Sequence, residues 1–126
     1  MHNQVIVLAV HGAPPSDFPV GEIGEFHALH ARLDHAGGPV SEAMRERAEA
    51  LERKLRAWPR RPDNDPFWAA SLEIARRLEA VTGQRVIVGF NEFCAPDLDE
   101  AFADAASAAP SRVVVMTPML TRGGGH

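Results

Sequence analysis

The chain has 126 residues, of which 45% are hydrophobic and 24% are charged, and its formal net charge is −4. This length suffices for one domain with one modest core. A general nucleic-acid-binding function is excluded, because such proteins present a basic surface and here arginines alternate with glutamates along helical faces. No segment approaches the roughly 20 apolar residues that span a bilayer. We therefore predict one domain with no nucleic-acid or membrane partner.

The sequence contains a single cysteine, Cys94. One cysteine forms neither an internal disulfide nor a cysteine-based zinc site, which is typical of a reducing compartment. The N-terminus has no basic stretch ahead of a long apolar run, as a secretory signal would require. The expected location is the cytoplasm. No cationic residue adjoins Cys94 in sequence, so we interpret it as a buried thiol rather than a nucleophile.

Three short apolar runs predict β-strands. The first, at residues 5–10, is continuously apolar, and the others are at 85–90 and 112–117. Runs of this kind are typical of strands buried on both faces of a parallel sheet. Because helical patterns separate them, we predict an α/β fold with a parallel sheet of at least three strands flanked by helices.

The connection between the first two strands contains three helical patterns. The weakest covers 22–33, and the strongest covers 41–58, which ends at Pro59. Asp65 and Pro66 supply an N-cap and a first-turn proline for the third, which Gly83 closes. We interpret 13–64 as a helical insertion before the crossover helix. The apolar stripes predicted for the three helices are Ile23, Phe26, Leu29, His30 and Leu33; Met44, Ala48, Leu51, Leu55 and Trp58; and Phe67, Ser71, Ile74, Leu78 and Val81.

A last helix is predicted from Pro96 to about Ala109, before Pro110. Its inward residues are expected to be Leu98, Phe102 and either Ala105 or Ala106.

Polar residues follow each predicted strand. His11 follows the first, Glu92 the second, and the segment 121–126, which ends in His126, the third. The carboxyl ends of parallel strands open on one edge, so these residues are predicted to share a rim. Imidazole and carboxylate suit a divalent transition ion and also accept protons near neutral pH. Metal insertion into a tetrapyrrole needs both abilities, because two pyrrole protons leave as the ion enters.

Each of these residues also has a purely structural interpretation. A histidine at a strand end is often a hydrogen-bonded structural group, a lone Glu92 is typical of a solvated loop, and Gly-Gly-Gly-His before the end is typical of a linker into a tag. His27 and His30 have the i,i+3 spacing of a metal pair on a helix face but also suit surface polar positions.

Other enzyme classes lack their motifs in this sequence. There is no Gly-x-Ser-x-Gly elbow, no phosphate-binding loop and no Gly-x-Gly-x-x-Gly after the first strand. Hydrolase and nucleotide chemistry are therefore disfavoured.

Three stretches resemble the sirohydrochlorin chelatases, which are small class II cobalt or iron chelatases related to ferrochelatase. They are VIVLAVHG at 5–12, VIVGFNEFCAPDL at 86–98 and VVVMTPMLTRGGGH at 113–126. In that family a first strand ends in His-Gly, a second ends in a Phe-x-Glu-like stretch before a proline and a helix, and a third leads through an apolar loop to Gly-x-His. The three landmarks occur in this order, while 13–64 matches no family motif.

The resemblance implies a lyase-type enzyme that inserts Co²⁺, Fe²⁺ or Ni²⁺ into a tetrapyrrole such as sirohydrochlorin, in siroheme or cobalamin biosynthesis. The divalent metal would be a substrate, and no organic cofactor is implied. His11 and His126 would be the metal ligands and proton acceptors, with Glu92 as a further catalytic residue. From chemistry and position, the residues expected to contact the tetrapyrrole are Pro118, Met119, Leu120 and Arg122.

Family members continue beyond the Gly-x-His, whereas this chain stops at His126. We therefore expect a single chelatase-like domain over 1–126 that is truncated at its C-terminus. A homodimer is an open alternative, in which the stripe at 44–58 serves either as a contact or as plain core. The alternative function is a non-catalytic carrier of metal or tetrapyrrole, which would use the same residues.

Overall fold

A computed structural model describes residues 3–35 and 41–118. In chain order its elements are β1 Gln4–Val10, α1 Val20–His35, α2 Glu42–Ala57, α3 Pro66–Thr82, β2 Arg85–Phe90, α4 Leu98–Ser107 and β3 Arg112–Met116. The strands form a parallel sheet in the order β2-β1-β3. The predicted α/β class is confirmed. Within the two described ranges, no helix is long and apolar enough to cross a membrane.

β1 occupies the centre of the sheet because it is apolar on both faces. Residues 5–10 are all buried, with at most 5% of their surface exposed. β2 pairs with it up to Val10 opposite Phe90, and β3 pairs with it up to Leu8 opposite Met116. Since all strands run parallel, their carboxyl ends meet at one edge. The segments that follow Val10 and Phe90 are therefore neighbours.

β3 is more exposed than the sequence predicts. Val113, Val115 and Met116 are 38%, 51% and 40% exposed. The expectation of a strand buried on both faces is wrong here, because β3 lies at the edge of the described sheet while α3 and α4 pack against β2 and β1. An apolar run alone does not distinguish a central strand from an edge strand.

α1 and α2 form a second core beside the sheet. Phe18, Phe26, Leu51 and Leu55 are buried together, and the ring of Phe93 packs against them. The stripes predicted for these helices are confirmed at Phe26, Leu51 and Leu55. α2 begins as predicted, since the Ser41 Oγ accepts a hydrogen bond from the Met44 N–H at 3.2 Å.

α3 has the ends that the sequence predicts but buries only part of the predicted stripe. The Asp65 carboxylate caps its first turn, and Gly83 closes it with φ +69°. The prediction is confirmed at Ser71, which is buried beside Ala75, and is wrong at Phe67, Ile74 and Val81, which are 47%, 49% and 84% exposed. Small side chains let a helix approach a sheet closely, and apolar residues on two faces of α3 made its pattern ambiguous.

The inward residues predicted for α4 are confirmed at Ala105 and wrong at Phe102. Ala101 and Ala105 are fully buried against the sheet, whereas Phe102 is 39% exposed. The helix itself begins at Leu98 and has a capping box, in which Asp97 accepts from the Glu100 N–H and Glu100 accepts from the Asp97 N–H. This reciprocal pair satisfies two N–H groups that have no partner inside the helix.

Candidate active site

His11 and Glu92 meet at the carboxyl edge of the sheet. The Asn91 N–H donates to the Val10 carbonyl at 2.8 Å, which extends the pairing of the two strands into the loops. The Nδ1 atom of His11 lies 2.7 Å from Oε1 of Glu92, although the residues are 81 positions apart. Their side chains are 26% and 34% exposed. The pair is therefore partly shielded and still reachable from solvent.

The second carboxylate oxygen of Glu92 is buried. Within 3–35 and 41–118, Oε2 has no hydrogen-bond partner. A buried carboxylate oxygen is costly unless it accepts a hydrogen bond or meets a cation. A carboxylate at Nδ1 of a neutral imidazole favours the tautomer with its proton on Nδ1 and its lone pair on Nε2. The pair thus combines a negative oxygen with an oriented imidazole.

Gly12 lets the two loops come close. A Cβ at this position would lie 1.9 Å from the carbonyl oxygen of Glu92 and 3.0 Å from its carbonyl carbon. Both are backbone atoms, which cannot rotate away as a side chain can. Close packing of the two loops therefore requires glycine after His11, which the sequence motif alone does not reveal.

Glu92 begins a strained three-residue turn. Phe93 has φ +68°, and the Cys94 N–H donates to the Glu92 carbonyl at 2.9 Å. A γ-turn with positive φ is rare and strained for a residue other than glycine. The Phe93 ring lies 6.0 Å, centroid to centroid, from both Phe26 and His27 of α1. The turn thus joins the sheet to the helical insertion.

Two arginines from the end of the insertion bind the backbone of this turn. Arg56 donates to the Cys94 carbonyl at 2.7 Å and to the Asn91 carbonyl at 3.3 Å. Arg60, whose side chain is 4% exposed, uses its five N–H donors. Its acceptors are the Asp65 carboxylate and the carbonyls of Leu55, Trp58, Ala13 and Phe93.

Sequence reasoning missed both arginines. They lie in a segment rich in alternating charge, where an arginine is ordinarily solvated, and their acceptors in the turn are backbone atoms more than 30 positions away, at Asn91, Phe93 and Cys94. Every residue carries a main-chain carbonyl, so the residue type at a position does not show that its carbonyl binds an arginine. Only the fold identifies these arginines as part of the site.

Cys94 belongs to this turn and is 1% exposed, because its side chain is buried in the core with Val10 and Phe90. Burial raises the pKa of its thiol, and the neighbouring positive charges of Arg60 and Arg56 offset this rise only in part. The thiol therefore stays protonated near neutral pH, where a protonated thiol is a poor nucleophile. The predicted buried thiol is confirmed.

The other predicted residues lie elsewhere or outside the described residues. His30 packs on Phe26 at 4.3 Å between ring centroids, and no group of three or more His, Cys, Asp or Glu able to hold a metal occurs in the described part of the chain. Pro118 lines an apolar groove with Leu8, Ile74, Leu78, Met116 and Thr117. The positions outside the described residues are Met119, Leu120, Arg122 and His126.

A parallel α/β sheet with a histidine and a carboxylate at its carboxyl edge is consistent with a chelatase-like domain. The CbiX family model matches residues 65–126, which run from the N-cap of α3 through β2, α4 and β3. This match places residues 65–126 in the CbiX family of class II chelatases. Residues 1–64 lie outside the match. No curated protein and no solved structure matches the chain.

The resemblance that the sequence shows to the small class II chelatases is thereby confirmed. The family suggests a class II chelatase-type function, in which a divalent metal and a tetrapyrrole would be the substrates. The matched region contains Glu92 but not His11. The fold brings the two together.

Proposed function

We propose that the protein inserts Co²⁺, Fe²⁺ or Ni²⁺ into sirohydrochlorin or a similar polycarboxylate tetrapyrrole, as a cobaltochelatase- or ferrochelatase-like lyase of the cytoplasm. The observation that carries this proposal is the 2.7 Å contact between His11 Nδ1 and Glu92 Oε1 at the carboxyl edge of the sheet. Insertion requires a donor that receives the ion as it loses water and a base that accepts pyrrole protons. An imidazole next to a carboxylate supplies both.

In this reaction His11 acts as a metal ligand and a proton acceptor. Glu92 accepts the Nδ1–H, which orients the ring and makes Nε2 a stronger donor. The buried Oε2 of Glu92 adds negative charge where a dication approaches or a pyrrole proton leaves. Both roles use the carboxylate in its ionised form, and no organic cofactor enters the reaction.

The remaining roles follow the family pattern. His126 is the second ligand and proton acceptor, and Arg122 pairs with a substrate carboxylate. Pro118, Met119 and Leu120 line the face of the macrocycle. The position of Pro118 in an apolar groove supports its part, because a flat macrocycle binds against apolar walls.

An absorbance assay tests the proposal. Wild-type protein is mixed with sirohydrochlorin and Co²⁺, Fe²⁺ or Ni²⁺ in parallel, and the change from the metal-free to the metallated spectrum gives the initial rate. We expect insertion above the non-enzymatic rate with at least one metal, and its loss in His11→Ala.

Arg47→Ala is the matched control, because Arg47 pairs with Glu25 on an exposed surface away from the site. Insertion by His11→Ala at the wild-type rate would contradict the proposal. A spectral shift of the tetrapyrrole without metal uptake would instead indicate a carrier.

A further inference from the structure

We propose that Arg56 and Arg60 are positioning residues for Glu92, which they hold in place through the backbone of the turn at residues 91–95. The catalytic consequence rests on the proposed function, whereas the structural claim rests on contacts alone. In this proposal the insertion has a role in the site, because its C-terminal part holds the turn that carries Glu92 in position.

Four consecutive carbonyl oxygens of the turn, from Asn91 to Cys94, each accept a hydrogen bond. Arg56 binds the first and the fourth, Arg60 binds the third, and the Cys94 N–H binds the second. A non-glycine residue with φ +68° persists only where its surroundings over-determine it. The two guanidinium groups supply that constraint.

Arg60 is itself held in place by a buried ion pair. Its partner Asp65 is 2% exposed and also accepts the Trp68 N–H at the first turn of α3. Arg60 further binds the Ala13 carbonyl at 3.2 Å, just beyond His11 and Gly12. One buried guanidinium therefore connects the loop after β1, the loop after β2 and the start of α3.

Glu92 has little room to move towards the loop after β1. Because a Cβ on Gly12 would overlap the Glu92 carbonyl, the two loops already touch at that point. A shift of the turn would lengthen the 2.7 Å contact with His11 without removing any group that meets the substrate. Small misplacements of reacting groups reduce turnover strongly.

Arg56→Ala and Arg56→Lys are the variants of choice, because the Arg56 side chain is 18% exposed and its removal leaves no buried charge unpaired. We expect kcat for metal insertion to fall roughly 10- to 100-fold in Arg56→Ala, with KM for the tetrapyrrole changed by less than about twofold. Lys keeps one donor to the turn and should recover part of kcat. Arg47→Ala, on the same helix, should match wild type.

Cys94 provides a readout that does not depend on activity. It is the single cysteine, it belongs to the turn, and the position of the turn keeps its side chain buried in the core with Val10 and Phe90. If the turn opens, a neutral thiol reagent should label Cys94 several-fold faster. Removing the positive charge of Arg56 would by itself raise the pKa of the thiol and slow labelling, so acceleration reports opening. Ser41→Ala removes the N-cap of α2 and controls for a general loss of stability.

The two proposals fail in different ways. If wild type inserts no metal, the proposed function fails. Labelling of Cys94 still tests whether Arg56 holds the turn in place. Wild-type kcat together with wild-type labelling in Arg56→Ala would overturn the inference. A lower kcat with unchanged labelling would also overturn it, as would faster labelling with unchanged kcat, since Arg56 would then not act on Glu92 through the turn.

Discussion

At the scale of single residues, the two oxygens of Glu92 have different environments. Oε1 contacts His11, and Oε2 is buried without a hydrogen-bond partner in the described ranges. A carboxylate placed only for structure would normally have both oxygens satisfied. The unsatisfied oxygen therefore favours a role with a cation or a proton.

Glu92→Gln tests the charge of this side chain. Glutamine keeps the shape and one oxygen acceptor but removes the negative charge and the proton-accepting ability. We expect the rate of metal insertion to fall by about 10- to 100-fold, as for other groups that orient a ligand histidine. Initial rates measured by absorbance check this. A wild-type rate in Glu92→Gln would show that the charge has no part in the reaction.

Gly12→Ala tests the close approach of the loops. The added methyl would overlap backbone atoms of Glu92, so we expect a destabilisation of about 1–3 kcal/mol and a loss of insertion activity. Gly24→Ala is the matched control, because nothing lies within 4 Å of that Cβ and alanine favours a helix by about 0.5–1 kcal/mol. Denaturant unfolding measures both. Equal stability of the two variants would contradict the observed contact.

The sequence identifies His11 and Glu92 because each directly follows a strand, and parallel strands end at a common edge. It does not identify Arg56 or Arg60, because the atoms that they bind in the turn are carbonyl groups, which every residue carries. It likewise does not reveal the positive φ of Phe93, an aromatic residue at a position where glycine would be expected. Tertiary contacts impose that conformation.

At the scale of elements, the insertion and the sheet share side chains. Phe93 follows β2 yet packs on the core of α1 and α2. The Trp58 indole donates to Asp17 at 2.9 Å, which ties the end of α2 to the loop after β1. We therefore propose that the insertion and the sheet unfold as one cooperative unit.

Leu51→Ala tests whether the insertion and the sheet unfold together. Leu51 is 1% exposed in the core of α1 and α2, so its truncation should cost about 2–5 kcal/mol in the free energy of unfolding. We expect one transition at a lower denaturant concentration, followed in parallel by circular dichroism and by tryptophan fluorescence. Two separate transitions would mean that the insertion unfolds as an independent domain.

Strands and helix ends are predictable because their signals are local. The Asp65-Pro66 start and the Gly83 end of α3 are examples, as are the apolar runs of β1 and β2. The buried faces of α3 and α4 are predictable only in part, at Ser71 and Ala105. Each helix carries apolar residues on two sides, and the side with the smaller residues packs against the sheet.

At the scale of the whole molecule, exposed carboxylates link stability to pH. Hydrogen bonds from Trp58 and Asn64 lower the pKa of Asp17. The Arg47 guanidinium lowers the pKa of Glu25, and Arg76 and Arg77 lower the pKa of Glu73. Each carboxylate thus binds protons less readily in the folded state than in the unfolded state.

The resulting stabilisation is present above the ordinary carboxyl pKa values of about 4 and is lost as pH falls through the lower folded-state values. We expect Tm to decrease between about pH 5 and pH 2. In Asp17→Asn this decrease should be smaller, because one of the linked groups no longer titrates. A Tm profile of Asp17→Asn parallel to that of wild type would contradict the linkage.

The most direct test of the central claim is a double-mutant cycle on the rate of Co²⁺, Fe²⁺ or Ni²⁺ insertion into sirohydrochlorin. The account predicts that His11→Ala and Glu92→Gln each lower the initial rate, and that the loss in the double variant is smaller than the product of the two single losses, because Glu92 acts in part through His11. A wild-type rate in either single variant, or losses that multiply in the double variant, would contradict it.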